Sequence, residues 1–284
     1  HTARCDPNKS GVPRFPLRCT VDLDLSVRGG QGTAKNRTIP LRKRVDMKKK
    51  VLFLGASGLI GPFVTPGLEA DFDLHLADIK PHPDGTPVDT VDVTSYEQVY
   101  EASRGMDAIA NFTVVRGDPG LSFQVNSLGA WHVMKAAVAH GIRKVIHSGP
   151  QSVRNAYAHD FDVAEAPGAS GTGYYGCTKM LSREICRIFA RTYGIQTPYF
   201  VFAGLGASPM EAVKGQDIPI FRVFWEDLQQ ACRLALEIES IPDDFQEFNL
   251  FSCEHHGKFR LDKAREILGF APARDWGEYF KRLP

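Results

Sequence analysis

The chain has 284 residues, 43% of them hydrophobic, enough to bury a real core in one domain or one domain with a small lobe. Its formal net charge is +1, but residues 1–46 carry ten Lys/Arg against four Asp/Glu, a net +6, and residues 47–284 carry 24 against 29, a net −5. The mildly acidic body has no basic stripe of the kind that marks a nucleic-acid binder, and no run approaches eighteen apolar residues, so no membrane span is expected.

Residues 1–46 are rich in Arg, Gly, Pro and Thr and lack helical or strand periodicity, so a disordered basic segment is expected there. Met47-Lys-Lys-Lys50 runs directly into apolar Val51-Leu-Phe-Leu54, and Met47 reads as the natural start of the domain. The segment ahead of it reads as upstream read-through or an appended piece; an Arg-rich, acid-poor transit peptide is the other reading. It has no apolar core like that of a secretory signal, so a cytoplasmic location is expected. The six cysteines (Cys5, Cys19, Cys177, Cys186, Cys232, Cys253) have neither metal-ligand nor disulfide-framework spacing and read as reduced residues. Cys253-Glu-His255-His256 is one tract without a second ligand pair, and no metal is expected.

From Lys50 onward, short apolar runs alternate with helical stretches. Val51–Leu54, Asp73–Ala77, Asp107–Phe112, Lys144–His147 and Thr197–Phe202 read as strands. Tyr96–Arg104, Leu128–His140 and Tyr174–Tyr193 read as helices, the last two stopped by Gly141 and Gly194. This alternation predicts an α/β fold: a Rossmann-type, doubly wound parallel sheet covered on both faces, with a small C-terminal substrate lobe. The expected division is 47–204 for the dinucleotide-binding domain and 205–284 for the lobe, partly interleaved with it.

Gly55-Ala-Ser57-Gly58-Leu59-Ile60-Gly61 follows the first strand and opens a helix. Gly55 allows a tight turn, Gly58 a close approach to a pyrophosphate, and Gly61 close helix–sheet packing, while the helix N-terminus offers N–H groups to the phosphates. Asp78 ends the second strand, where an acidic residue accepts hydrogen bonds from ribose hydroxyls and repels a 2′-phosphate, so NAD is favoured over NADP. Asp92-Val93 is placed to contact the adenine, and Asn111 and Phe112, ending a strand, are further candidates for the cofactor. Pro62 and Pro66 disagree with a long first helix: Pro66 removes an internal hydrogen bond and should kink or shorten it.

Tyr175 and Lys179 are four residues apart, on one face of the predicted Tyr174–Tyr193 helix. A free tyrosine, with a pKa of about 10, is a poor base at neutral pH. A nearby ammonium favours the phenolate, so the pair provides a base for a hydroxyl proton while hydride leaves the adjoining carbon.

In these motifs the sequence resembles the extended short-chain dehydrogenase/reductase superfamily, in its NAD-dependent epimerase/dehydratase branch, over about residues 48–284. Besides the glycine run, Asp78, Asp92-Val93 and Tyr175-x-x-x-Lys179, the resemblance is carried by Val125-Asn126, Trp225-Glu-Asp-Leu-x-Gln-Ala231 and the tail from Asp262 to Pro272. It implies an NAD-dependent oxidoreductase with Asn126, Tyr175 and Lys179 among its cofactor-binding residues, Asn126 in the helix behind the active site and Lys179 on the nicotinamide ribose, and a homodimer formed through two helices, one carrying Tyr175. It also implies a Ser or Thr after the fifth strand. Here Val145-Ile-His-Ser148-Gly-Pro-Gln-Ser152 puts Gly149 or Pro150 at that position, with Ser148 and Ser152 flanking it as the candidate hydroxyls and Ser148 preferred.

In this branch the region after the sixth strand holds the substrate. The arginine usual near that strand is missing from Tyr199-Phe-Val-Phe-Ala-Gly204, and only about 80 residues follow. A compact lobe suits a small ligand, and uronate dehydrogenases of the family are similarly short. Three readings stand: a nucleotide-sugar epimerase or dehydratase, a dehydrogenase of a free sugar or sugar acid, and an NAD-binding sensor or scaffold that has lost turnover.

Overall fold

A computed structural model describes residues 48–149, 172–208, 222–257 and 259–279. The expected disordered segment at 1–46, Pro150 and Ser152 lie outside them. Seven strands form one all-parallel sheet in the order β3-β2-β1-β4-β5-β6-β9. These are β1 (Lys50–Leu54), β2 (Asp73–Asp78), β3 (Asp89–Thr90), β4 (Ala108–Asn111), β5 (Val145–Gly149), β6 (Thr197–Val201) and β9 (Phe245–Asn249). Val51–Leu54 are at most 2% exposed because helices cover both faces of a parallel sheet. The chain winds outward from β1 in both directions, so β1 and β4 flank the topological switch point. A crevice opens there beyond the carboxyl ends of the strands.

The first helix is where local chemistry outweighs the fold's usual pattern. α1 (Gly61–Val64) has a single turn and passes into a 3-10 turn at Thr65–Gly67, as Pro66 requires. The compensation comes from far along the chain. Gln229 donates its Nε2 to the Phe63 carbonyl at 2.7 Å, and Trp225 stacks on Phe63 with ring centroids 4.5 Å apart. Both partners lie on α6 (Trp225–Glu237), which packs against α1. So short a helix has little macrodipole, and the phosphate site expected here must rest on the loop's own N–H groups.

α2 (Tyr96–Ala102) starts at Ser95, which caps Gln98 N–H, and ends two residues before its predicted limit. The helical stretch predicted from Leu128 begins nine residues earlier: Asp118 caps Leu121 N–H at 2.7 Å and Pro119 occupies the first turn of α3 (Pro119–Ser122). A wider turn at Phe123–Leu128 joins α3 to α4 (Gly129–His140), closed by Gly141 at φ +69°. α5 (Tyr174–Tyr193) keeps its predicted limits, with Gly194 at φ +67° behind it.

After β6, β7 (Gly204–Gly206) pairs in parallel with β8 (Arg222–Phe224). The sequence reading missed β9, which follows Asp243 and Asp244, both at positive φ, and extends the main sheet beside β6. Leu228, Phe251 and Phe270 thereby join the same hydrophobic core as Val51 and Phe200.

Candidate functional site

At the switch point a cleft of about 1130 Å³, partly open to solvent, runs along the ends of β1, β2 and β4. Gly55 turns the chain at φ +88°, and a Cβ there would meet the Phe112 carbonyl carbon at 2.9 Å. At Gly61 a Cβ would lie 2.0 Å from the Ala56 carbonyl oxygen, so the loop closes on itself only without side chains. The protein presses far less on Gly58, whose nearest contact would be 3.3 Å. Among the described residues, no protein acceptor takes the N–H groups of Leu59 and Ile60. A bare-backbone cradle with undirected donors fits a dinucleotide's phosphates.

Gly55, Ser57, Gly58, Leu59, Ile60, Asp78, Asp92, Val93 and Phe112 all line this cleft. Asp78 accepts Ser57 N–H at 3.0 Å and Lys80 N–H at 3.1 Å, which aims its carboxylate along the glycine loop. Ser57 Oγ donates to the Lys80 carbonyl at 2.8 Å. Asp92 accepts Thr94 N–H at 2.8 Å.

Two predicted contact residues lie behind the wall. Asn111 is 1% exposed, and its Oδ1 accepts both Thr113 N–H and Thr113 Oγ. Asn126 is equally buried: Oδ1 accepts Val115 N–H, and Nδ2 donates to Val115 carbonyl and Thr178 Oγ1. Its amide thus ties the loop after β4 to α5.

A smaller pocket of about 350 Å³ continues from the cleft, sharing Ile60, Phe112, Val114 and Arg116 with it. Ser148, Gly149, Tyr175, Lys179, Phe202 and Ala203 complete its lining. Three of the four predicted catalytic residues therefore meet here; Ser152 lies outside the described residues.

Lys179 is 2% exposed, and its Nζ donates to the Ser148 carbonyl at 3.5 Å. Burial, then the positive charge of Arg116, brings its ammonium down to about 8, against a small opposing effect of Cys186. A lysine so poised holds a labile proton near neutral pH. His147, buried on β5, is held neutral, its pKa down at about 3 through burial and the nearby Lys179.

The strand-end hydroxyl has a steric explanation. A Cβ on Gly149 would lie 1.8 Å from Cε1 of Tyr199. Tyr199 is fully buried on β6, and its hydroxyl donates to the Lys179 carbonyl at 3.1 Å. The ring occupies the space a serine or threonine side chain at 149 would need. Ser148 is 7% exposed and contributes to the lining.

Sequence reasoning did not single out Arg116 or Tyr199. Arg116 follows strand β4 on the same loop as Val114 and Val115, where cleft-lining residues of such sheets belong. Its position after a strand was the available signal. No equivalent signal marks Tyr199, because which ring fills a gap across neighbouring strands depends on register. Among the described residues no group of three or more His, Cys, Asp or Glu side chains could hold a metal ion, and no helix is long and apolar enough to cross a membrane.

A uronate dehydrogenase of Pseudomonas putida is 29% identical over 156 residues, 52% of this chain and 58% of that protein. The chain thus spans little more than half the length of this curated relative. Among solved structures, a glucuronic acid dehydrogenase from Chromohalobacter salexigens superposes with a TM-score of 0.67 at 17% identity, over 81% of this chain and 86% of that one. A UDP-N-acetylglucosamine 4-epimerase from Bacillus cereus gives 0.64 at 16%, over 81% and 96%. Those two likenesses concern the fold. The family model described as "NAD dependent epimerase/dehydratase family" matches residues 51–207, more than half of the chain. The protein belongs to the NAD dependent epimerase/dehydratase family, and its cofactor is NAD.

Proposed function

We propose that the protein is a dehydrogenase of a free sugar acid, oxidising a ring hydroxyl with Tyr175 as the base. The observation that carries this reading is the meeting of Tyr175, Lys179 and Ser148 in a pocket that opens directly onto the glycine-lined cleft. NAD, when bound, takes up the hydride. The cleft's Asp78 receives the ribose hydroxyls, and the bare loop of Gly55 to Gly61 faces the phosphates. Tyr175 removes the hydroxyl proton, Lys179 lines the same pocket one helical turn away, and Ser148 supplies the hydrogen bond that orients the reacting oxygen. The relative named a uronate dehydrogenase supports a free sugar acid over a nucleotide-sugar.

A panel of free uronates, neutral sugars and UDP- or GDP-sugars with NAD tests the reading. Rising NADH absorbance with uronates supports it; interconversion of nucleotide-sugars without net NADH would replace it with an epimerase. The third reading, an NAD-binding sensor without turnover, gains from the closure of position 149 by Tyr199. Tight NAD binding with no reaction on the whole panel would select it.

The proposal includes a homodimer in the cytoplasm. Trp131 on α4, Leu181 and Ile188 on α5, and Leu128 just before α4 expose 36% to 55% of their surface and suit a helix-pair interface. Cys186 and Cys232 are buried reduced thiols, which suits a reducing compartment. Sedimentation of the purified protein tests the dimer.

A further inference from the structure

Arg116 lies where the cofactor cleft and the catalytic pocket join, and lines both. Its guanidinium carbon is 5.5 Å from the centroid of the Tyr175 ring. Its backbone is held firmly. The Tyr174 hydroxyl donates to the Arg116 carbonyl at 2.7 Å. The preceding residue, Val115, is bonded through both N–H and carbonyl to Asn126 at 2.9 Å each, and Ser122 Oγ adds 3.0 Å to the same carbonyl. Arg187, Arg233 and Arg265 each face a carboxylate, but among the described residues none pairs with Arg116.

Its surroundings are mostly apolar. Ile60, Phe112, Val114, Phe202 and Ala203 form the rest of the pocket wall with Gly149, and Lys179 is turned inward onto the Ser148 carbonyl. Phe202 and Ala203, following β6, offer no charge on their side of the pocket. Arg116 is thus the solvent-accessible cation among the described lining residues of the pocket. A guanidinium with no counter-ion among the described residues, on a fixed backbone and against an apolar wall, is arranged to receive an anion through its planar fork.

We propose that Arg116 anchors the carboxylate of an acidic sugar and so selects acidic over neutral substrates. The inference rests on the sugar-dehydrogenase reading above and adds the residue that makes it acid-specific. Because the Arg116 guanidinium carbon lies 5.5 Å from the centroid of the Tyr175 ring, an anion held there and a carbon reacting at Tyr175 can belong to one small molecule. A carboxylate on a sugar ring meets this condition and matches the guanidinium fork. An anion there also offsets the field that Arg116 exerts on Lys179.

The test is calorimetric titration of the NADH-loaded full chain with glucuronate, glucose and UDP-glucose, for the parent, Arg116→Ala and Arg116→Lys. The parent should bind glucuronate more tightly than glucose. Arg116→Ala should lose roughly ten- to hundred-fold for glucuronate, the range of a charge-assisted pair, with glucose unchanged. Arg116→Lys should recover part of the loss, since charge returns without the fork. NADH affinity without sugar should be equal in all three. Equal glucuronate affinity in the parent and Arg116→Ala, or no preference of the parent for glucuronate over glucose, would overturn the proposal. An equal loss of NADH affinity would assign Arg116 to the cofactor instead. Dependence on Arg116 confined to UDP-glucose would replace the carboxylate with a diphosphate. Arg116-dependent glucuronate binding without NADH formation in the turnover assay would keep the anchor and remove the dehydrogenase reading.

Discussion

At Gly61 a Cβ would meet the Ala56 carbonyl oxygen at 2.0 Å; at Gly149 it would meet Cε1 of Tyr199 at 1.8 Å. Gly61 closes the loop whose Gly55, Ser57, Gly58, Leu59 and Ile60 line the cleft, Gly149 lines the smaller pocket, and their missing side chains serve different purposes. Around Gly61 the backbone packs on itself, and among the described residues no protein acceptor takes the N–H groups of Leu59 and Ile60. At Gly149 the vacated space is filled by a neighbour's ring, and the pocket is lined by Tyr175, Lys179, Ser148 and Arg116. A backbone-built site follows from local sequence. A side-chain-built site depends on what the sheet register brings across from the next strand.

The sharpest way to break this comparison is at the side-chain end. Tyr175→Phe keeps the ring but removes the ionisable oxygen. Turnover on an acidic sugar should fall by about two to four orders of magnitude, with NAD binding unchanged. Steady-state kinetics beside a cofactor titration checks both, and near-parental turnover would leave Tyr175 a packing residue.

Restoring a hydroxyl at 149 comes next. Gly149→Ser forces a side chain into the Tyr199 ring, at the overpacking cost of about 1–3 kcal/mol in denaturant unfolding. Adding Tyr199→Ala opens the space, so the double variant should lose less than the two single losses summed. Strict additivity would mean that Tyr199 is not what closes the position.

At the backbone end, Asp78→Ala should weaken NAD binding by about 1–2 kcal/mol through lost hydrogen bonds to the ribose. Because Asp78 also receives Ser57 and Lys80 N–H groups, part of this loss should come through a looser loop. Unchanged NAD affinity, or a preference of the parent for NADP, would remove Asp78 from the cofactor site.

The last prediction concerns Lys179 and pH. Its ammonium titrates at about 8 in the folded protein against 10.5 ordinarily. Between these values the unfolded chain holds a proton that the folded chain has released, so this group's contribution to stability rises with pH across the window. Below about 8 its burial penalty is present in full. Without NAD, Lys179→Met should therefore melt above the parent at pH 7, by a margin that narrows towards pH 10. A margin independent of pH would point to packing rather than charge.

Much of the architecture was legible in the residues. The parallel sheet follows from apolar runs alternating with helical stretches, and α5 keeps its predicted limits because Gly194 ends it in the left-handed region. The start of α3 was missed although Asp118-Pro119 carries the signature of a helix start, since apolar periodicity was weighed ahead of capping. Strand β9 escapes the sequence reading because Phe245-Gln-Glu-Phe-Asn249 lacks the period-two alternation of a strand, and its place beside β6 is a long-range contact.

By itself, the sequence determined the glycine loop, the acidic end of β2, the broken first helix and the Tyr175–Lys179 spacing, since each depends on φ/ψ limits or helix period within a few residues. Only the tertiary structure decided that Gln229 would satisfy the carbonyl left open near Pro66, that Asn126 would tie a loop to α5, and that Tyr199 would close position 149. It also decided that Arg116 would stand beside Tyr175. These pairings join residues from 11 to 166 positions apart. They exist because close packing of two helical layers on one twisted sheet leaves each gap to be filled by whichever side chain the register delivers.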